Sequence, residues 1–177
     1  RRQRQMCIRD SLHGDHCFGL LGLISTLNLL GRTAELHIHS PKGLETLLTP
    51  MLDFFNRQMT YKVLFHEFDT KEPMQIYEDR SLTVTTIPLR HRMPCCGFLF
   101  AEKRRPNHII REMVDFYQVP VYELNRIKNG ADYVTPEGKT VSNNLLTRPS
   151  APSRSYAYCS DTIYPVSYTH LTLPTIL

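Results

Sequence analysis

Leu12-His13-Gly14-Asp15-His16, set directly before the apolar run 17–30, decides the reading of this chain. Two imidazoles and a carboxylate fall within four residues at the entrance of a predicted helix. Imidazole nitrogen and carboxylate oxygen are the ligands of a zinc site that stays open for water. Gly14, without a Cβ, is expected to let the backbone turn tightly and aim its neighbours at one point. The alternative reading is a polar helix cap, with Asp15 serving the first amides of the helix. Two histidines crowded around that aspartate favour a metal site over a cap.

Outward from this stretch, helical and extended patterns alternate. Phe18, Leu21, Ile24 and Leu27 predict a helix over 16–30, stopped by Gly31. A strand is expected at 35–39. Ser40-Pro41 then reads as an N-cap and first-turn proline for a helix reaching about Arg57, with Leu44, Leu47, Leu48, Met51, Leu52 and Phe55 inward. Strands are expected at 61–68, 75–78, 81–89 and 96–102, the middle two as a hairpin turned at Asp79-Arg80. Helices follow at 107–117 and 122–129, the second ended by Gly130. A small hairpin at 133–139, a Pro- and Ser-rich loop at 148–154 and a strand at 155–160 complete the pattern. There is no internal repeat. Strands mixed with helices point to sheets covered by helices, an α/β architecture.

The chain has 177 residues, enough for one domain with a real core, and 41% hydrophobic with 21% charged content is globular. The run 17–30 is shorter than the roughly 20 residues a membrane helix needs, and there is no secretory signal pattern. The net charge of +4 is concentrated at the N-terminus, where Arg1, Arg2, Arg4 and Arg9 stand against Asp10. Any nucleic-acid binding must therefore use a local patch. Five cysteines, with no CxxC, read as buried thiols in a reducing compartment rather than disulfides or a cysteine metal site.

Two further points carry metal-competent side chains beyond predicted strands. His91 follows the strand 81–89, and Asp161 follows 155–160. Alone, His91 reads as a loop histidine and Asp161 as a turn residue. His37 and His39 share a strand face and read as structural, His66 and His108 as surface residues. Ser40, Thr86 and Ser160 are candidates for orienting ligands by hydrogen bonds.

The segments LHGDHCFGLLGLIST, LHIHSPKGL, TTIPLRHRMPCCGFLFAEK and YAYCSDT resemble the ribonuclease Z family of the metallo-β-lactamase superfamily, in their order and spacing across 12–165. The resemblance implies an αββα sandwich, incomplete at both ends of this chain, with two zinc ions at the sheet edge. His13 and His91 would hold one ion, Asp15 and His16 the other, and Asp161 would bridge them. Asp15 would also be the catalytic general base. The implied activity is zinc-dependent hydrolysis of precursor tRNA to release the 3′ trailer, by a cytoplasmic homodimer. A protruding tRNA-binding arm would fall at about 102–143, where Lys103, Arg104, Arg105, Arg126 and Lys128 could meet phosphates.

The family's first motif histidine falls on Ser11, and its last histidine ligand would lie downstream of Pro165. Stretches 1–11 and 166–177 resemble translated sequencing-adapter DNA and are set aside as foreign ends; His170, in the second, is left unassigned. The chain is thus expected to be an internal fragment with weak zinc binding and little or no catalysis. The other readings are a different hydrolase of the superfamily, such as a phosphodiesterase or arylsulfatase, and a non-catalytic RNA-binding fragment.

Overall fold

The computed structural model describes residues 6–55 and 58–163. The elements run β1 (Met6–Ile8), α1 (Gly14–Cys17), α2 (Gly19–Leu29), β2 (Leu36–Pro41), α3 (Leu44–Phe55), β3 (Val63–Phe68), β4 (Gln75–Glu78), β5 (Leu82–Pro88) and β6 (Cys96–Glu102). They continue with β7 (His108–Ile109), α4 (Arg111–Phe116), α5 (Leu124–Lys128), β8 (Tyr133–Val134), β9 (Thr140–Val141), α6 (Asn143–Leu146), β10 (Thr147–Arg148) and β11 (Ser155–Tyr158). Two compact units result, one from residues up to Ala101 together with those from Ser155, the other Glu102–Arg154.

In the first unit, β1, β2 and β3 pair in parallel, Ile8 opposite His39 and His39 opposite His66. Parallel neighbours need crossovers, and α1–α2 and α3 supply them. Strand alternation sends Leu36 and Ile38 to one face, where they meet Cys17, Leu20, Ile24, Leu44 and Leu48 of the helices. Leu20, Ile24, Ile38 and Leu44 have no exposed surface, and burying each side chain stabilises by about 1.5–3 kcal/mol. The opposite face meets the antiparallel sheet β11-β6-β5-β4. Ile8, Phe68, Val84, Cys96 and Phe98 fill that seam, with the Phe68 and Phe98 rings edge-on at 6.2 Å. These layers are the α-β-β part of the expected α/β, metallo-β-lactamase-type αββα sandwich.

Several local expectations are corrected. Residues 6–11, left out of the fold expected from the sequence, take part in it: Met6–Ile8 forms β1, and the Arg9 amide donates to the His39 carbonyl at 2.9 Å. Three apolar or sulfur-bearing residues without a longer period were too short a signal for a strand. The stretch 166–177, with His170, lies outside the described residues. Ser40-Pro41 does not cap a helix but ends β2, whose pairing with β3 runs to Pro41 opposite Phe68. The cap of α3 comes from another strand, since Glu67 Oε1 accepts from the amides of Gly43 and Glu45 at 2.8 and 3.2 Å. Of the six residues expected inward on α3, Leu44 and Leu48 are buried and Leu52 packs against them, while Leu47, Met51 and Phe55 are exposed.

The second unit has its own core of Val114, Ile127, Tyr133, Val141 and Leu146. Asn143 ties it together, donating through Nδ2 to the carbonyls of Ile127 and Ala131 at 2.7 and 2.8 Å. The helix expected at 107–117 starts only at Arg111, because His108 and Ile109 pair with β10. The unit runs through to Arg154.

His39 shows what the sheet seam does to a titratable group. Its ring stacks on His66 at 4.7 Å and meets Tyr77 of β4 edge-on at 6.2 Å; His66 in turn stacks on His37 at 5.1 Å. Burial, and then the neighbouring His66 and His37, push His39 down to about 4. The unfolded chain therefore binds the extra proton between about pH 6.5 and 4, and stability falls as pH drops through that window. The expected slope reaches at most about 1.4 kcal/mol per pH unit. Urea melts at pH 7 and 5 should show this loss in the parent chain and a smaller one in His39→Gln; equal losses in both would refute the assignment.

Candidate metal centre

The C-terminal ends of β1, β5 and β11 gather the residues singled out in the sequence. His13 follows β1 and stands at the start of α1 with extended backbone, and its carbonyl accepts from the amides of His16 and Cys17, both at 3.0 Å. This turn puts the His13 and His16 rings 5.7 Å apart, and His91, beyond β5, brings its ring to 5.0 Å from His13. Asp15 is exposed and sets Oδ2 3.6 Å from His16 Nε2. The N-cap position of α1 is His13, which makes no side-chain capping hydrogen bond. Gly14 has no left-handed backbone, and a Cβ there would meet only the exposed Phe18 ring. The turn therefore does not require glycine.

Asp161 arrives from another direction. Its loop is fastened to the His91 loop, the Ile163 amide donating to the Arg90 carbonyl at 2.7 Å and the Arg90 amide to Thr162 Oγ1 at 3.3 Å. The Asp161 carbonyl accepts from the Cys95 thiol at 3.5 Å. Burial raises the Cys95 pKa, and the Asp10 and Asp161 carboxylates raise it further. The Asp161 carboxylate itself is exposed and makes no hydrogen bond with the three rings. Among the described residues, no three His, Cys, Asp or Glu side chains stand close enough to hold a metal ion as placed.

Two residues missed by the sequence reading support the histidines. Asp10 Oδ1 lies 3.1 Å from His16 Nδ1. Ser11 Oγ lies 2.9 Å from His16 Nδ1 and 3.2 Å from His13 Nδ1. Both are buried, Ser11 at 1% exposure. Occupying Nδ1 fixes each ring and turns Nε2 away from the supports, toward Asp15 in the case of His16, the arrangement that supporting partners give to metal-binding histidines. The second Asp10 oxygen is buried with no partner, a negative atom that a nearby cation would satisfy. The donor set and its supports therefore fit a divalent ion bound through imidazole and carboxylate. The signal that could have revealed Asp10 was its place six residues before His16, hidden because residues 1–11 were set aside.

The other candidates fall elsewhere. Thr86 Oγ1 accepts from the Met74 amide at 2.8 Å and so serves a neighbouring loop rather than a ligand. Ser40 is buried with its hydroxyl unpartnered. Of the five free cysteines, Cys17, Cys95 and Cys96 are buried as expected, but Cys159 is exposed. In the second unit Arg105 pairs with Glu102 at 3.1 Å and Arg126 with Glu123 at 3.1 Å. Arg104 and Lys128 are exposed and Lys103 is half-buried. No helix among the described residues is long and apolar enough to cross a membrane.

Gly97 keeps β11 close to β6. A Cβ there would lie 2.5 Å from the Tyr158 carbonyl oxygen and 3.2 Å from Cys159 Sγ. Backbone cannot yield as a side-chain tip does, so Gly97→Ala should push out the strand that leads to Asp161. The expected cost is about 1–3 kcal/mol, read as a lowered denaturation midpoint. A variant as stable as the parent chain would show that β11 is not held this closely.

No family model matches the chain. It is 78% identical over 153 residues to ribonuclease Z of Bacteroides fragilis, covering 86% of this chain and 50% of that protein. It is 57% identical over 153 residues to ribonuclease Z of Parabacteroides distasonis, and 50% over 151 residues to that of Porphyromonas gingivalis, again covering 50% of each. Among solved structures, the human tRNase Z short form aligns with a TM-score of 0.51 and 25% identity, over 57% of this chain and 46% of that one. The resemblance to ribonuclease Z thus holds over most of this chain, which spans about half the length of the curated relatives it matches.

Proposed function

We propose that this chain carries part of the active site of a zinc-dependent endoribonuclease that removes the 3′ trailer from precursor tRNA. The observation that supports this most directly is the meeting of His13, His16 and His91 at one sheet edge, with Nδ1 of the first two held by Ser11, in a chain 78% identical over 153 residues to a ribonuclease Z. In this reading His13 and His91 would hold one zinc ion, Asp15 and His16 a second, and Asp161 would bridge them. Zinc would supply charge to neutralise the phosphoryl oxygens and acidity to the attacking water. Asp15, exposed beside His16, would take that water's proton. Asp10 and Ser11 would keep the His16 ring from turning. Water would add to phosphorus and the O3′–P bond would break, leaving a 3′-hydroxyl on the tRNA and a 5′-phosphate on the trailer. A homodimer in the cytoplasm belongs to the same reading.

Ser11 is where this chain falls short of a full site, because a hydroxyl is a poor zinc ligand beside imidazole. Ser11→His should bind zinc at least tenfold more tightly in competition with a chelator, and should cleave precursor tRNA better than the parent chain. Unchanged affinity would count against the metal reading of the His13–His16 turn.

The second unit would contribute phosphate contacts through Lys103, Arg104, Arg105, Arg126 and Lys128. Ion pairs already engage Arg105 and Arg126, but exposed pairs are weak and yield to phosphate. Replacing Arg104, Arg105 and Lys128 by Gln should weaken tRNA binding. It should also make the plot of log affinity against log salt shallower by up to about one per lost contact. An unchanged slope would remove these residues from the RNA surface.

A further inference from the structure

Beside the histidine turn lies a cavity of about 210 Å³ that none of the roles above uses. Leu12, Phe68, Met93 and Pro94 give it an apolar lining, and Lys42, Lys71 and Asp69 line it as well. Leu12 directly precedes His13, and Met93 is two residues past His91. Lys42 follows the end of β2, and Lys71 lies three residues past the end of β3. The cavity therefore opens at the same sheet edge as the imidazoles. Its volume is below the about 300–1,000 Å³ of sites that enclose drug-sized ligands. That size suits one planar ring system with its attachments left outside.

Charge narrows the occupant further. Lys42 approaches Asp69 at 3.9 Å, a long, exposed pair that a phosphate can displace. Lys71 has no carboxylate partner for its ammonium among the described residues. An apolar slot whose rim carries two ammonium groups against the one carboxylate of Asp69, a net positive charge, matches a group whose ring is apolar on its faces and whose neighbours are anionic. Single-stranded RNA presents that combination, since an unstacked base can be splayed into a protein pocket while its flanking phosphates stay in solvent.

We propose that this cavity takes one nucleobase of the RNA strand next to the phosphodiester to be cut, with Lys42 and Lys71 meeting the adjoining phosphates. This inference rests on the endoribonuclease reading and adds to it a binding subsite. The apolar walls hold the base out of its stack, and the two lysines set how far along the strand it lies. The subsite is indifferent to the edge of the base, because no hydrogen-bonding pattern is needed to fill an apolar slot. It therefore positions the strand rather than reading its sequence.

Methyl-resolved NMR of the whole chain tests this directly. Adenosine 5′-monophosphate and uridine 5′-monophosphate should shift the Leu12 and Met93 methyl signals and bind at least tenfold more tightly than ribose 5-phosphate. Lys71→Gln should weaken both nucleotides several-fold while keeping the dispersion of a folded spectrum. Three results would each overturn the proposal: equal binding of ribose 5-phosphate, shifts confined to the Ile8 methyls in the separate cavity beside His16 and Phe98, or no shift at Leu12 and Met93. The ribonuclease reading fails separately, if a full-length relative with the same turn does not cleave precursor tRNA. Nucleotide shifts at Leu12 and Met93 would then still mark a base-binding slot.

Discussion

One backbone tie between the two sheets holds the site together. The Cys96 amide of β6 donates to the Asp10 carbonyl at 3.0 Å, and Ser11 forms an isolated antiparallel bridge with Cys95. Asp10 and Ser11 lead into the histidine turn, while Cys95 and Cys96 follow the His91 loop. Two stretches some 80 residues apart are thus locked at the point where their imidazoles meet. The residues of this tie are almost wholly buried, so the hydrogen bond is shielded from water, where losing a partner is costly. Cys95 extends the tie to a third loop through its thiol contact with the Asp161 carbonyl.

The same residues serve two purposes. The main chain of Asp10 and Ser11 joins the sheets, and their side chains hold the histidine rings. Burial of Ser11 leaves little space at that position, which makes its identity consequential. A hydroxyl there satisfies two Nδ1 atoms at once but brings no nitrogen of its own to a cation. Stability and ligation therefore draw on one short segment, and a change that favours one acts on the other.

Much of this was legible in the sequence, and the rest was hidden for physical reasons. The hairpin at Asp79 was readable because its carboxylate turns the chain locally, accepting from the Ser81 and Leu82 amides. The helix over 16–30 was readable in outline, and it ends at Gly31, whose φ is +73°; it breaks at Phe18, which is exposed, so that Cys17, Leu20 and Ile24 rather than the expected Phe18 and Leu21 form the buried side. By contrast, α3 begins later than its proline suggested, because the decisive cap is Glu67 on another strand. Strands β7 and β10 are two residues each, too short for any period to register. The histidine cluster was readable as residue types, but its supports Asp10 and Ser11 were not, since their role comes from a fold contact with Cys95 and Cys96.

The distribution of thiols also makes the chain chemically addressable. Burial raises the pKa of Cys7, Cys17, Cys95 and Cys96, the last to about 12. Such thiols give little thiolate at neutral pH and react slowly with electrophiles. Cys159 alone is exposed, two residues before Asp161. A maleimide fluorophore would therefore attach first at Cys159, placing an optical reporter beside the loop that carries the fifth candidate ligand without altering the sequence.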